Sequence, residues 1–351
     1  MLEQQLKPIQ VCIVNDSNLM RKYLTDLITI DGIEVISTAI DGIDALSKIS
    51  AKKPDVILLD LEMPKMDGLT FIDEMVKSGT LFPTIVVSNF SQNGSKLVLD
   101  ALENGAVDFV PVQTDSKDNE KLKDVLISKI KIAYQSDPIQ LIQNKINSLK
   151  PKRKVTPRID TSERLVVIGS STGGPATVQK VLNELPLDIP AGILLVQHMP
   201  KEFTTQFAVR LAKNSGFVVK EAEEGDIIKD GEILVAPGDF HMIVQPNRKI
   251  HLDSSDKRFG VRPSVNMTMI SASEVYGSSL VGVILTGMGH DGGFGMKSIK
   301  KRGGHTIVQN KKTSVIFGMP QSVIDLNAAD HILDLGEISA KISKEVQNLV
   351  R

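Results

Sequence analysis

The apolar positions of residues 9–115 fall into short, nearly unbroken runs separated by stretches with a helical period. Runs at 11–14, 34–39, 55–61, 84–88 and 107–112 predict strands. A strand buried on both faces of a parallel sheet reads as a continuous apolar segment rather than an alternating one. Between the first two runs, residues 17–30 predict a helix: Ser17 can cap it, and Leu19, Met20, Tyr23, Leu24, Leu27 and Ile28 form one stripe. A last helix is predicted over 118–134. Five strands with helices between them imply a small doubly wound α/β domain, with boundaries at 8–135.

The texture then changes. Residues 136–163 contain SLKPKRKVTPRIDTSE, with prolines, basic residues and fading periodicity, and read as an interdomain linker. The basic cluster at 150–158 reads as its solvated part. From residue 164 to 351 a second, larger and mostly parallel α/β alternation is predicted. Its strands are expected at 165–170, 193–197, 232–236, 242–245, 280–286 and 305–309, and its helices at 175–185, 201–214, 265–276 and 291–302. Short strands dominate 216–253, so a hairpin or meander should interrupt the parallel pattern there.

Composition narrows the class. The chain has 351 residues, of which 41% are hydrophobic and 24% charged, enough apolar material for two cores. The net charge of −1 gives no argument for a nucleic-acid or anionic-membrane partner. The single cysteine, Cys12, lies inside an apolar run and reads as a small buried hydrophobe. The start, MLEQQLKPIQ, lacks the pattern of a secretory signal, and no apolar run approaches the ~20 residues that span a bilayer. A cytoplasmic monomer without membrane insertion is the expectation.

Two clusters carry candidate chemistry. In the first domain, Asn15-Asp16 end one predicted strand and Asp60 another, and ligands of open α/β sheets bind at carboxyl ends of strands. Oxygen donors there suit Mg²⁺, which takes one or two carboxylates and keeps waters. Asp60 could equally accept a phosphoryl group, since carboxylates form aspartyl phosphates. On spacing alone, a turn cap and a polar strand end explain these acids as well.

In the second domain, Gly169-Ser170-Ser171-Thr172-Gly173 satisfies G-x-S-x-G between a predicted strand and a helix. Such a turn can expose the Ser171 hydroxyl, and nearby amides can stabilise negative charge. It also fits a phosphate cradle, although neither the full dinucleotide fingerprint nor a Walker lysine is present. A serine nucleophile needs a base, and the base an orienter. All six histidines lie beyond residue 165. His198 and Asp291 each follow an apolar strand, so Ser171, His198 and Asp291 could meet at one sheet edge without any cofactor. His290 competes as the base.

The wider order of motifs is more specific. IVNDSNLMR, DVILLDLEMPKMDGL, VVSN and GAVDFV resemble a response-regulator receiver domain over 9–115. IGSSTGGP, LVQHMP, VAPGDFHM, RPSV, ILTGMGHDG, VQN and FGMP then resemble the chemotaxis protein-glutamate methylesterase (CheB) family. The resemblance implies a histidine kinase as phosphodonor to Asp60, and Mg²⁺ held by Asp16, Asp60 and the Glu62 carbonyl, with Asn15 in place of the family's first acid. It implies a switch pair at Ser88 and Phe109. It also implies a Ser171–His198–Asp291 triad flanked by Thr172 and Met288, acting on chemoreceptor glutamyl methyl esters and, in some members, deamidating glutamines. The unphosphorylated receiver is then expected to cover the active-site edge. Two departures stand out. Asn15 stands where the family begins its acidic cluster, and Val112 occupies the family's lysine position after the fifth strand. Separately, Asn266 stands where aspartate is common, a change that leaves the implied triad residues themselves in place. Valine can neither pair with phosphoryl oxygens nor link them to a switch.

Overall fold

The computed structural model describes residues 7–30, 32–89, 92–112, 119–136 and 161–349. The basic cluster at 150–158 lies outside them. The chain divides into two compact units, Met1–Gln143 and Asn144–Arg351.

The first unit alternates β1 (Ile9–Val14), α1 (Asn18–Ile28), β2 (Ile33–Ala39), α2 (Gly42–Ala51), β3 (Val56–Leu59), α3 (Gly68–Lys77), β4 (Thr84–Asn89), α4 (Gln92–Glu103), β5 (Asp108–Val112) and α5 (Asn119–Gln135). Its five strands form one parallel sheet in the order β2-β1-β3-β4-β5. Val11, Ile13, Ile57, Leu58, Ile85 and Val86 are buried, as strands covered on both faces require. Side-chain caps start the helices: Ser17 accepts from Met20 N, Asp41 from Asp44 N and Asp67 from Thr70 N. Leu24 and Ile28 anchor α1, but Leu19, assigned to the same stripe, is 79% exposed. It lies in the first turn, beside the exposed Asp16 at the rim of the sheet. Cys12 is fully buried, and burial pushes its thiol pKa up, as for an inert core residue.

The second unit begins earlier than the linker boundary at 163. Thr161 bridges Lys229, and Ser162 is buried, its amide donating to Ile228 O at 2.8 Å and its hydroxyl meeting Asp230. A small polar residue there meets the half-buried Asp230 carboxylate, which composition alone does not reveal. The order is then β6 (Leu165–Ser170), α6 (Gly174–Glu184), β7 (Gly192–Gln197), α7 (Lys201–Ser215), β8 (Val218–Glu221), β9 (Glu232–Val235), β10 (His241–Val244), β11 (Ile250–Asp253), α8 (Val265–Tyr276), β12 (Leu280–Ile284), α9 (Gly293–Lys301), β13 (His305–Gln309), α10 (Gly318–Asp325), β14 (His331–Leu333) and α11 (Leu335–Asn348).

Seven strands form a parallel sheet ordered β14-β13-β12-β6-β7-β9-β8. The expected hairpin exists as the antiparallel pair β10–β11, but β8 and β9 within 216–253 continue the parallel sheet rather than interrupting it. All six residues of β6 and of β7 are buried. Leu165, Val167, Leu194 and Val196 share a core with Met269 of α8 and Met296 of α9. At about 1.5–3 kcal/mol for each fully buried large side chain, this core holds the central strand ends in place.

Candidate functional site

In the first unit the sheet order reverses beside β1, so the loops after β1 and β3 open a crevice at their carboxyl ends. Asp16 and Asp60 follow those strands, as expected. Asn15 is buried and bridges them: its Nδ2 donates to Asp60 Oδ2 at 2.7 Å, while its Oδ1 accepts from Ser17 N at 2.8 Å. Asn15 therefore bonds both the Ser17 amide and the Asp60 carboxylate. The Glu62 amide donates to Asp60 Oδ1 at 3.2 Å. Arg21 Nη1 ties the Asn15 and Asp16 carbonyls at 2.7 and 2.9 Å. Ser88 and Phe109 are buried on adjoining strands β4 and β5.

Val112 is buried at the end of β5, and among the described residues no lysine or arginine pairs with Asp60. The neighbouring cation is committed elsewhere: Lys129 Nζ lies 2.7 Å from Asp108 Oδ1 and 5.6 Å from the Phe109 ring centre. The donor set fits a hard divalent ion, since Asp60, Asp16 and the Glu62 carbonyl offer only oxygens and two of them belong to carboxylates.

Burial pushes the Asp60 carboxyl up to about 6; Asp16 and Glu62 add to the rise, and the Glu62 and Leu61 amides oppose it. Because this value lies above the ~3.9 of an unfolded aspartate, ionised Asp60 costs folding stability above pH 6, and the cost fades as pH falls toward 4. Partial exposure reduces the cost to about 1–2 kcal/mol. Asp60→Asn keeps an oxygen for Asn15 and removes the charge. Calorimetry in EDTA should show the first unit's transition raised by ~5–10 °C at pH 7.5, with the gain shrinking severalfold by pH 4.5. No gain at pH 7.5, or one that persists undiminished at pH 4.5, would contradict the buried charge.

In the second unit, three adjacent strands deliver the candidate nucleophile, base and orienter. Ser171 follows β6, the central strand; His198 follows β7 on one side and Asp291 lies beyond β12 on the other. The ladder extends past the strand ends on both flanks. Ser171 N donates to Thr286 O at 3.0 Å, and His198 N donates to Ser170 O at 3.1 Å. Ser170 pairs with Gln197 at the end of the ladder, and Ser171 and His198 are the next residues on each strand. Gly173 turns the chain in a left-handed conformation, at φ 74°, to open α6. At Gly287, a Cβ would meet Met319 Sδ at 2.3 Å and Ser171 Cβ at 2.9 Å, so only glycine admits the serine.

His198 Nε2 lies 2.9 Å from Asp291 Oδ2, leaving Nδ1 as the nitrogen available to the serine. Asp291 is 3% exposed and heavily bonded. Its Oδ1 accepts from Ser264 Oγ, Asn266 N and Gly292 N at 2.9, 3.0 and 3.1 Å, and its Oδ2 from Val265 N at 2.6 Å. The carboxylate thus caps the amino end of α8 while it orients the histidine. Burial by itself would raise its pKa, but His198 and the Asn266 and Val265 amides outweigh that and hold it below the usual carboxylate range. Asp291 is therefore ionised whenever the histidine needs a counter-charge.

Among the described residues, Ser171 Oγ makes no hydrogen bond to His198. The two directly follow the last paired residues of adjoining strands, Ser170 and Gln197, and such contacts commonly close only around substrate. Thr172 is buried, with its carbonyl 3.1 Å from the Thr286 hydroxyl, while Met288 is 45% exposed. A phosphate cradle at this turn finds two amides already spent, Ser171 N on Thr286 O and Gly174 N on Ser171 O. His290, the competing base, is exposed and does not bond Asp291.

Residue patterns missed the polar frame beneath these groups. Gln197 Nε2 donates to Ser171 O at 2.9 Å and to His198 O at 3.2 Å, while its Oε1 accepts from Ser170 Oγ at 2.6 Å. One amide side chain therefore ties the backbones of Ser171 and His198 together. Its one sequence signal is a glutamine ending an otherwise apolar strand directly before His198. Ser264 and Val265 lie in the RPSV motif and Asn266 follows it, but that motif does not disclose that they meet Asp291, which only folding brings about.

Two family models match: a CheB methylesterase domain over residues 166–342 and a response regulator receiver domain over 11–122. A protein-glutamate methylesterase/protein-glutamine glutaminase of Pyrococcus horikoshii is 42% identical over 349 residues, covering 97% of this chain and 94% of that one. Its counterpart from Thermotoga maritima is 41% identical over 344 residues, covering 95% of this chain and 97% of that protein. Among solved structures, the T. maritima CheB methylesterase catalytic domain matches at 46% identity with a TM-score of 0.50, covering 52% of this chain and 97% of that one.

Proposed function

The chain belongs to the CheB family of protein-glutamate methylesterases, and we propose that its second unit hydrolyses glutamyl methyl esters on chemoreceptors by a Ser171–His198–Asp291 mechanism. The single observation that carries this reading is the His198–Asp291 pair. A buried, ionised carboxylate lies 2.9 Å from a histidine whose strand adjoins that of Ser171.

Ser171 Oγ attacks the ester carbonyl as His198 Nδ1 takes its proton, after a side-chain rotation that closes the gap between them. Asp291 stabilises the imidazolium and fixes which nitrogen faces the serine. Backbone amides at Thr172 and around Met288 hold the tetrahedral oxyanion, a contribution of about 3–4 kcal/mol per donor in a comparable hydrolase. Collapse expels methanol, protonated by His198. Water, deprotonated by the same histidine, then releases the glutamate carboxylate from the acyl-enzyme. A glutamine substrate follows the same path with ammonia as the leaving group, which extends the proposal to deamidation.

For the first unit we propose phosphorylation at Asp60 by a histidine kinase, with Mg²⁺ held by Asp16, Asp60 and the Glu62 carbonyl. When bound, the ion would supply positive charge beside the receiving carboxylate; Asn15 Nδ2 orients that carboxylate through its hydrogen bond to Asp60 Oδ2. Val112 removes the family's lysine, so any signal from Asp60 to Ser88 and Phe109 passes without that cation. In this reading the enzyme is cytoplasmic and its unphosphorylated receiver restrains the esterase. Among the described residues no helix is long and apolar enough to cross a membrane.

The test is covalent trapping. A serine-directed phosphonylating probe should modify the wild-type protein at Ser171, located by peptide mass spectrometry, and block methanol release from methylated receptor membranes in proportion to labelling. Inhibition without a Ser171 adduct would refute the nucleophile assignment.

A further inference from the structure

Beside the proposed active site stands a group of exposed rings that the reaction does not use. Arg258 and Val261 bond each other in both directions at 3.0 Å, closing a tight two-residue turn over Phe259 and Gly260. Both central residues have positive φ, 52° at Phe259 and 79° at Gly260. Such turns favour glycine or asparagine at both positions, and a bulky side chain is strained there. Phe259 nevertheless occupies the tip and is 55% exposed. Its ring meets the His290 ring edge-on, with centroids 4.6 Å apart at 77°, and lies near-parallel to Phe294 at 6.4 Å and 17°. Phe294, in the first turn of α9, is 51% exposed. His290 directly precedes Asp291, so the shelf adjoins the residue that orients the proposed base.

Cations border the shelf. Lys257 and Arg258 precede Phe259, and Lys297 lies one helical turn after Phe294 on the same face of α9. All three are exposed, and among the described residues none forms an ion pair, whereas Lys220, Lys300, Lys312 and Lys341 all do. Asp256 is the one acidic residue in the segment 254–262. A strained, exposed aromatic flanked by unpaired cations contributes nothing evident to the core, and sequence choices that violate local preference concentrate at functional surfaces.

We propose that the Phe259–His290–Phe294 shelf is the docking surface for the receptor segment that carries the esterified glutamate. Its rings take apolar side chains of that segment, and Lys257, Arg258 and Lys297 take its neighbouring glutamates. The inference rests on the esterase reading and adds how the substrate protein is selected. Charge complementarity selects this occupant: each turnover leaves a glutamate carboxylate in the receptor beside a cationic rim. Aromatic anchors of this kind dominate recognition surfaces.

The experiment compares two substrates in the full-length protein. Phe259→Gly removes the ring and suits the turn, so the fold is not put at risk; it is combined with Phe294→Ala. Relative to wild type, kcat/KM on methylated receptor membranes should fall at least tenfold, carried by KM, while hydrolysis of p-nitrophenyl acetate stays within twofold. Arg258→Glu with Lys297→Glu should produce a comparable selective loss that high salt reduces. Co-sedimentation with receptor membranes should weaken in parallel, which reads docking without turnover. An equal fall on both substrates would make the shelf a prop for the active site. No fall on either, or raised activity of the unphosphorylated protein with unchanged substrate preference, which would mark a contact for the receiver, equally overturns the proposal. Ser171→Ala run alongside separates the readings: if it still hydrolyses both substrates, the nucleophile assignment fails, while co-sedimentation still decides the shelf.

Discussion

Ser171→Ala is expected to lower kcat for receptor demethylation by about 10⁴–10⁶-fold while leaving KM nearly unchanged. Removing a serine nucleophile leaves only the contribution of binding and oxyanion stabilisation, and in comparable hydrolases that residue of activity is small. The geometry adds a second expectation. Among the described residues the Ser171 hydroxyl is not bonded to His198, and the contacts of Ser171 described above run through its backbone to Thr286, Gly174 and Gln197. Truncation to alanine breaks none of them. Chemical denaturation should therefore place the variant within about 0.5 kcal/mol of wild type, as for substitutions that touch no buried network. Methanol release measured beside the denaturation curve checks both halves. An inactive variant that is also several kcal/mol less stable would mean that the serine acts structurally.

Asp291→Asn is expected to fail in both respects. Loss of the carboxylate orienter costs about 10⁴-fold in kcat in the serine proteases, because the histidine is held in the wrong tautomer. Here the damage extends further. Five donors converge on the two Asp291 oxygens: Ser264 Oγ, the amides of Val265, Asn266 and Gly292, and His198 Nε2. An asparagine offers one oxygen and one NH₂, so at least one buried donor must face another donor. An unsatisfied buried donor costs about 1–3 kcal/mol. The variant should thus lose ~10⁴-fold in kcat and melt several degrees lower, by the loss of about 1–3 kcal/mol. Calorimetry and initial rates on the same preparation test this. Unchanged stability with lost activity would show that the amides at the start of α8 do not depend on the charge.

The fold and the site differed in how much of each the chain disclosed. Strands buried on both faces, such as β6 and β7, were legible because an unbroken apolar run has few other uses. Short peripheral elements were not: β8 has four residues and β14 three, too few for a period to emerge. The helix α11 was overlooked although Asp334 and Glu337 form a capping box at its start. At the site, Ser171, His198 and Asp291 were visible because each follows an apolar run, and the topology brings those strand ends together. Gln197, Ser264 and the α8 amides were not visible, since a polar side chain that braces a neighbour looks like any other polar residue until the chain is folded. Asn15 shows the same limit: its residue type does not disclose that its amide donates to Asp60. Leu19 and Phe259 mark the opposite case, apolar residues placed at the surface.

The Asp291 carboxylate enters the chain 93 residues after the histidine it bonds. During synthesis, which delivers ~5–20 residues per second from the amino end, Ser171 and His198 leave the ribosome with β6 and β7 several seconds before Asp291 exists. In that interval the nascent chain holds a serine and a histidine on neighbouring strands with no counter-charge and no anchored α8. Hydrolytic competence therefore arrives late, with β12 and the segment that follows it. Under the proposed mechanism, a chain interrupted before that point lacks the counter-charge for His198, and it is expected to be an inert fragment rather than an unregulated esterase.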